Sequence, residues 1–307
     1  FYVYERKKRL VSAAPYRDRV VHHALCRVLE PVWERMFIFD SYACRVGKGT
    51  HKAADRYTEF SRKAAYVLKC DIRKYFEHVD HAILLDEIRR YVPDEGVLWL
   101  VSTILSSNNS RPGAAPGRGI PIGNLTSQFF ANVYLNGFDH WVKEELKARF
   151  YIRYVDDFVI LADEKPALHA ALAAVEAKLA EQGLAVHPAK RNVFPVSEGC
   201  DFMGYRIWPS HRRLRPQTGY HGRRKLRRLA ARYAAGEVSL VRVRSSVAAW
   251  IGHVKHADTR GLQRAVLGAL RFSRTRHAGL DPASRRFSHT RHRSEERRVG
   301  KECRSRG

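Results

Sequence analysis

The chain has 307 residues, 45% of them hydrophobic, enough for one large domain or two to three subdomains, which excludes disorder throughout. Lys and Arg number 56 against 31 Asp and Glu, a net charge of +25 that exceeds what solubility needs and points to a polyanionic partner, most simply nucleic acid. A membrane partner fits less well, because the chain shows neither a long apolar span nor a lipidation motif.

Phe1-Tyr2-Val3-Tyr4 runs straight into Glu5-Arg6-Lys7-Lys8-Arg9, with no secretory leader, so a cytoplasmic location is expected. The lack of an initiator Met suggests a chain missing its start. Cys26, Cys44, Cys70, Cys200 and Cys303 form no zinc-spaced set and read as reduced thiols, three of them core fillers. Residues 19–37 read as a helix with Val20, Ala24, Val28 and Val32 inward and Pro31 as a break or kink. His22 and His23 read as structural. Residues 65–70 are a short apolar strand ending at Asp71. Asp80 then caps a helix with Leu84, Ile88 and Tyr91 on one face. A Gly/Pro/Ser-rich loop at 108–119 leads to one long helix over 126–146.

Next come Asp156 and Asp157, set between the strand-like runs 151–155 and 158–162. The spacing predicts a tight hairpin with both acids at its tip. Adjacent carboxylates repel unless a cation lies between them, and two divalent ions about 3.5–4 Å apart are what in-line nucleotidyl transfer needs. A solvated Asp-Asp turn is the plainer alternative. Pro166 opens a helix that Gly183 ends, 184–186 is strand-like, and 202–208 reads as a further strand. Setting aside the helical insertion, the order from 65 to 186 is β-α-β-β-α-β, the ferredoxin-like split unit. Such a unit brings Asp71 beside Asp156 and Asp157. Residues 221–233 are strongly basic and begin an expected three-helix bundle, continued by 241–254 and 259–272. From 273 onward ten Arg and one Lys face four acids without apolar periodicity, so a disordered tail is expected. Its segment 294–305 resembles a contaminant peptide seen at the ends of metagenomic translations.

Six segments in order resemble the motifs of bacterial retroelement reverse transcriptases, across 1–272. Ser41-Tyr42-Ala43-Cys44-Arg45 with Gly47-Lys48-Gly49 resembles the second fingers motif. Lys69-Cys70-Asp71-Ile72-Arg73-Lys74-Tyr75-Phe76 resembles motif A, and Gly119-Ile120-Pro121-Ile122-Gly123-Asn124-Leu125-Thr126-Ser127-Gln128 motif B. Tyr154-Val155-Asp156-Asp157 resembles motif C, 184–190 motif D, and Phe202-Met203-Gly204-Tyr205 the primer-grip motif E. Most reverse transcriptases carry Gln before the first Gly of motif B and Ser-Pro at its end. Ile122-Gly123-x-x-x-Ser127-Gln128 instead resembles the enzymes of diversity-generating retroelements, which copy a template RNA with frequent errors at adenines. Retron and group II intron enzymes are the near relatives.

The resemblance implies an α+β right-hand polymerase with a ferredoxin-like palm, fingers and a helical thumb. Fingers would span 1–64, palm 65–78 and 123–214, a fingers insertion 79–122, and thumb 215–272. Asp71, Asp156 and Asp157, with the Ile72 carbonyl, would hold two Mg²⁺ ions, for which Mn²⁺ can substitute. Lys190 would protonate pyrophosphate, although a surface lysine is an equal reading. Arg45, Lys48 and Lys69 would meet the triphosphate. Phe76 would stack under the sugar and exclude a 2′-OH, with an ordinary core aromatic as alternative. Ile122, Gly123 and Gln128 would border the nucleotide. Gly204 and the thumb side chains Arg223, Arg224, Lys225, Arg227 and Arg228 would contact nucleic acid. The implied partners are template RNA, DNA primer and cDNA, and dNTPs, with a basic accessory protein as a further candidate. Two other classes stay open: a nucleic-acid-binding protein on a decayed polymerase scaffold, and a metal-dependent nuclease. The nuclease reading explains the acids but not 122–128 or the basic helical end.

Overall fold

The computed structural model describes residues 2–4, 8–107 and 115–270; the expected tail at 273–307 and part of the expected loop at 108–119 lie outside them. A short hairpin, β1 (Tyr2–Tyr4) with β2 (Lys8–Leu10), precedes helix α1 (Tyr16–Glu34). Helix α1 buries His22, Leu25, Cys26, Leu29 and Trp33, spaced by threes and fours so that they share one face. The valine stripe expected from the sequence lies on the wrong side, with Val20 54% and Val28 65% exposed. A strict four-residue series drifts about 40° per step, so it cannot follow one face for long. The helix also runs through Pro31 to Glu34 without ending there.

Helix α2 (Thr50–Ser61) leads to β3 (Tyr66–Asp71). Helices α3 (Tyr75–His78), α4 (His81–Arg89) and α5 (Glu95–Ser106) are inserted before α6 (Leu125–Tyr134). The Asp80 carboxylate caps α4, accepting from the Ala82 and Ile83 amides. The single helix expected at 126–146 is two, α6 and α7 (Asn136–Glu144), parted at Leu135. Asn136 and Gly137 are poor helix formers, and the break accompanies complete burial of Asp139.

Strands β4 (Phe150–Tyr154) and β5 (Asp157–Ala162), helix α8 (Lys165–Glu181) and strand β6 (Asn192–Pro195) complete an antiparallel sheet of order β4-β5-β3-β6. This is the ferredoxin-like order that the sequence pattern implies. Its fourth strand is not 184–186, where Val186 makes only an isolated bridge to Ile72. Pro188 has no N–H and opens a 3₁₀ turn, so the ladder resumes only at Asn192. The sheet is covered on both faces. Leu68, Cys70, Phe158 and Ile160 join one core with α1, α6 and α8, while Val67, Ile152, Val159 and Leu161 join Tyr57 and Phe60 of α2.

A second sheet holds β7 (Cys200–Phe202), β8 (Tyr205–Ile207) and β9 (Arg212–Leu214). The strand expected at 202–208 is therefore cut by a hairpin turn, Met203 and Gly204 both having positive φ (51° and 86°). The described residues divide into two compact units, one holding those up to 219 with 254–260, the other 220–253 with 261–270. The expected three helices are α9 (Pro216–Ala234), α10 (Leu240–Val254) and α11 (Arg260–Gly268), with Leu226 and Val266 buried. No helix among the described residues is long and apolar enough to cross a membrane.

Candidate active site

The pairing of β3 with β5 sets Asp71 opposite Asp157, and the pairing of β4 with β5 leaves Val155 and Asp156 as a two-residue turn. Asp156 is thus at the hairpin tip, while Asp157 is the first residue of β5. Val155 has φ +55°, a left-handed conformation that a β-branched residue adopts only under constraint. The Ile72 amide donates to the Asp156 carbonyl at 2.9 Å, tying the end of β3 to this turn. On the other flank, the His187 amide donates to the Asp71 carbonyl and the Arg73 amide to the Ala185 carbonyl. These bonds lay the 185–190 segment along the acids, and Lys190 Nζ reaches Asp71 Oδ2 at 2.6 Å.

Burial, then the charges of Asp157 and Asp71, pushes the Asp156 carboxyl up to about 6. Asp157 is also raised, first by burial; Lys69 and Lys190 oppose the rise and Asp71 adds to it. Among the described residues no three His, Cys, Asp or Glu side chains are drawn together as a ready-made metal cage, and Asp71 faces Lys190. The donor chemistry still fits a hard divalent cation: carboxylate oxygens, mutually repelling, partly withdrawn from water.

The strain on Asp156 has a measurable sign. Its folded pKa lies above the ordinary 3.8, so folding favours the protonated form. That contribution is full below about 3.8 and is lost as pH rises through about 6. In metal-free buffer, Asp156→Asn is expected to raise the melting temperature at neutral pH, with the gain fading toward about pH 4. Thermal melts across this range check it; an equal gain at both ends would mean that neither burial nor the neighbouring acids strain this carboxylate.

Beneath the hairpin lies a network that sequence reasoning missed. Arg153 and Asp139 form a fully buried ion pair at 2.6 Å, and Tyr151 Oη donates to Asp139 at 2.6 Å. Arg153 Nη1 donates to Asn132 Oδ1 and to the Val155 carbonyl, both at 3.1 Å, so the guanidinium braces the constrained turn. Asn132 Nδ2 in turn donates to the Ala43 carbonyl. A charge inside the apolar run Phe150-Tyr151-Ile152-Arg153-Tyr154 was the available signal, since a buried arginine needs a carboxylate.

The remaining candidates are distributed as follows. Arg45 donates to the Glu34 carboxylate and to the carbonyls of Ile38 and Ser41, so its guanidinium serves as a strut of the loop that follows α1. Lys48 donates to the Phe39 carbonyl and sits 3.4 Å from the centre of that ring, engaged in the same loop. Lys69 donates to the Asp201 carbonyl, joining β3 to β7. Phe76 is half-buried against the main core, edge-on to Tyr75, and its carbonyl accepts from the Ile120 amide. Residues 11–14 cross the segment that carries Ile122 and Gly123: the Ser12 amide donates to the Ile122 carbonyl and the Ala14 amide to Asn124 Oδ1. Gly123 has φ +120°, and a Cβ there would come within 2.7 Å of Val11 Cγ1. Gln128 is exposed on the first turn of α6. Gly204 occupies the β7–β8 turn. Arg223, Arg224, Lys225, Arg227 and Arg228 are all exposed on α9, in the other compact unit.

Comparison with known proteins agrees with this geometry. Residues 5–207 match the reverse transcriptase (RNA-dependent DNA polymerase) family. Protein YkfC of Escherichia coli K12 is 26% identical over 242 residues, 66% of this chain and 63% of that protein. Group II intron-encoded protein LtrA of Lactococcus lactis subsp. cremoris is 24% identical over 147 residues, 47% of this chain and 24% of LtrA. The chain therefore spans less than two thirds of either relative. Among solved structures, apo telomerase from Candida tropicalis superposes with a TM-score of 0.54 at 12% identity, over 80% of this chain and 51% of that one. That likeness concerns the fold, a right-hand polymerase. With the family matched over residues 5–207, to the end of β8, the chain belongs to the reverse transcriptases.

Proposed function

We propose that this chain is an RNA-directed DNA polymerase that extends a DNA primer on an RNA template. The observation that carries the reading is the placement of Asp71 opposite Asp157, with Asp156 in the adjoining turn. Two Mg²⁺ ions, or Mn²⁺, held by Asp71, Asp156, Asp157 and the Ile72 carbonyl would activate the primer 3′-OH and steady the leaving pyrophosphate. Lys190, already beside Asp71, is placed at the edge of the site as the acid toward the leaving pyrophosphate. Phe76 lies under the incoming sugar, with Ile122, Gly123 and Gln128 around the nucleotide and Lys69 balancing charge near Asp157. Arg45 and Lys48 hold the fingers loop in shape for the triphosphate. The Met203-Gly204 turn supports the primer, and the exposed basic row of α9 tracks phosphates. The boundaries 1–64, 65–78, 79–122, 123–214 and 215–272 divide fingers, palm and thumb in this reading. A basic accessory protein and a cytoplasmic site of action complete it.

Within the family, Ile122-Gly123-x-x-x-Ser127-Gln128 favours a diversity-generating enzyme. The similarity to LtrA favours an intron-type or retron-like enzyme instead. Fidelity separates the two. If Ile122 replaces a polar contact to the sugar, a lost hydrogen bond of about 0.5–1.5 kcal/mol raises errors several-fold. Deep sequencing of cDNA should then show substitutions concentrated opposite template adenines, and Ile122→Gln should lower them while synthesis continues. Uniformly low errors in the wild type would sink the diversity-generating reading. Errors spread evenly over all four bases would support loose fidelity but not that subfamily.

A further inference from the structure

We infer that the tip of the β8–β9 hairpin is a separate RNA contact: a stacking platform for an unpaired base, formed by His211 over Trp208 and flanked by Arg206 and Arg213. The source of the strand, though not the platform, rests on the polymerase reading.

The platform is built in layers. Gly199, with φ +79°, lies so close to the Trp208 ring that any Cβ there would collide with the indole. The His211 ring covers the same indole, its centroid 4.5 Å away and its plane 9° from parallel. Trp208 is thus packed in, and the exposed layer is His211. The hairpin fixes that outer ring: the Trp208 amide donates to the His211 carbonyl at 2.9 Å, and Ser210 Oγ lies 3.0 Å from His211 Nδ1.

Two exposed guanidinium groups stand beside the stack, Arg206 and Arg213, 5.5 and 5.8 Å from the Trp208 centroid. Arg206 donates to the Glu198 carbonyl; among the described residues neither arginine is paired with a carboxylate. Arg62 adds a third cation nearby by donating to the Pro209 carbonyl at 2.8 Å. A flat exposed ring ringed by cations offers a base its π-face and a backbone its charge, which is how single strands are gripped without sequence reading. The ring is already placed, so little ordering cost remains on binding. Bases inside a duplex are stacked on one another and have no free face, so the fitting partner is unpaired. In templated synthesis that strand is RNA not yet copied. The platform sits at the opposite end of β8 from the Met203-Gly204 turn, three strand residues or roughly 10 Å away. It therefore adds a contact beyond the primer-facing turn.

The test uses the full chain, without metal or nucleotides, and a fluorescein-labelled single-stranded RNA of mixed sequence read by anisotropy. His211→Ala is expected to weaken binding about five- to tenfold, the low end of what removing one stacked aromatic does. His211→Phe, which keeps a flat ring, should restore it. Arg213→Ala should reduce the slope of log affinity against log salt by about 0.7, one phosphate contact on a single strand. The same RNA annealed to its complement should bind His211→Ala and wild type alike. Wild-type affinity of His211→Ala for the single strand, equal losses on single strand and duplex, or failure of His211→Phe to restore binding would each overturn the platform. A loss confined to single-stranded DNA would overturn its assignment to RNA. A chain that binds in this way yet never polymerises would overturn the polymerase reading alone.

Discussion

Asp156→Asn is expected to remove at least 99% of metal-dependent DNA synthesis on an RNA template while RNA binding stays near wild type. Asn keeps the shape of the hairpin tip but loses the charge that, in the proposed mechanism, would hold a divalent ion between the strands. Charge stabilisation at such a centre is worth several kcal/mol, and each 1.4 kcal/mol is a factor of ten in rate, so about a hundred-fold is a low estimate. In the proposed reading, binding would be supplied mainly by phosphate contacts with the basic surface, which this change leaves alone. Primer extension and filter binding on the same preparations decide it. Extension at the wild-type rate would mean that the β4–β5 turn is not the catalytic centre.

The second large effect is expected from Arg153→Met. It leaves Asp139 charged, buried and without its guanidinium, and breaking a buried pair from one side costs about 3–5 kcal/mol. For a chain of this size that lowers the melting temperature by roughly ten degrees. Adding Asp139→Leu should recover much of the stability, because an apolar pair tolerates burial that a lone carboxylate does not. Synthesis should nevertheless stay low in the double variant, since the Val155 carbonyl has lost the donor that braces its left-handed turn. Melting curves and extension rates together test this. A single variant as stable as wild type would show that the pair does not hold the hairpin.

The acids and the palm were legible in the sequence for a local reason. Asp156 and Asp157 are neighbours, their flanking strands are short apolar runs, and strand periodicity of two leaves little freedom in register once the hairpin closes. The β-α-β-β-α-β order then places Asp71, as the pairing with Asp157 shows. What was not legible depends on partners distant in sequence. Nothing near Arg45 announces that Glu34 and two carbonyls will engage it. The inward face of α1 is chosen by α6 and the sheet, so apolar spacing alone could pick the exposed valines. Met203 gave no turn signal, because only the positive φ it shares with Gly204 reveals the hairpin. Arg153, inside its apolar run, signals a buried carboxylate, but nothing near it in sequence singles out Asp139.

The placement of β3 has a consequence for the newborn chain. It is the first palm strand to be made, yet both of its neighbours in the sheet, β5 and β6, come later. The partners Asp71 and Lys190 are separated by 119 residues, which at about 5–20 residues per second takes the ribosome roughly 6–24 seconds to add. Until β5 is made, Val67, Leu68 and Cys70, all fully buried in the finished fold, lack both neighbouring strands, and the edge that β6 will cover stays open throughout that interval. An open apolar strand is a template for pairing with other chains. The strand that ends at Asp71 is therefore also a segment open to misassembly during translation, and it remains so until β6 has been synthesised.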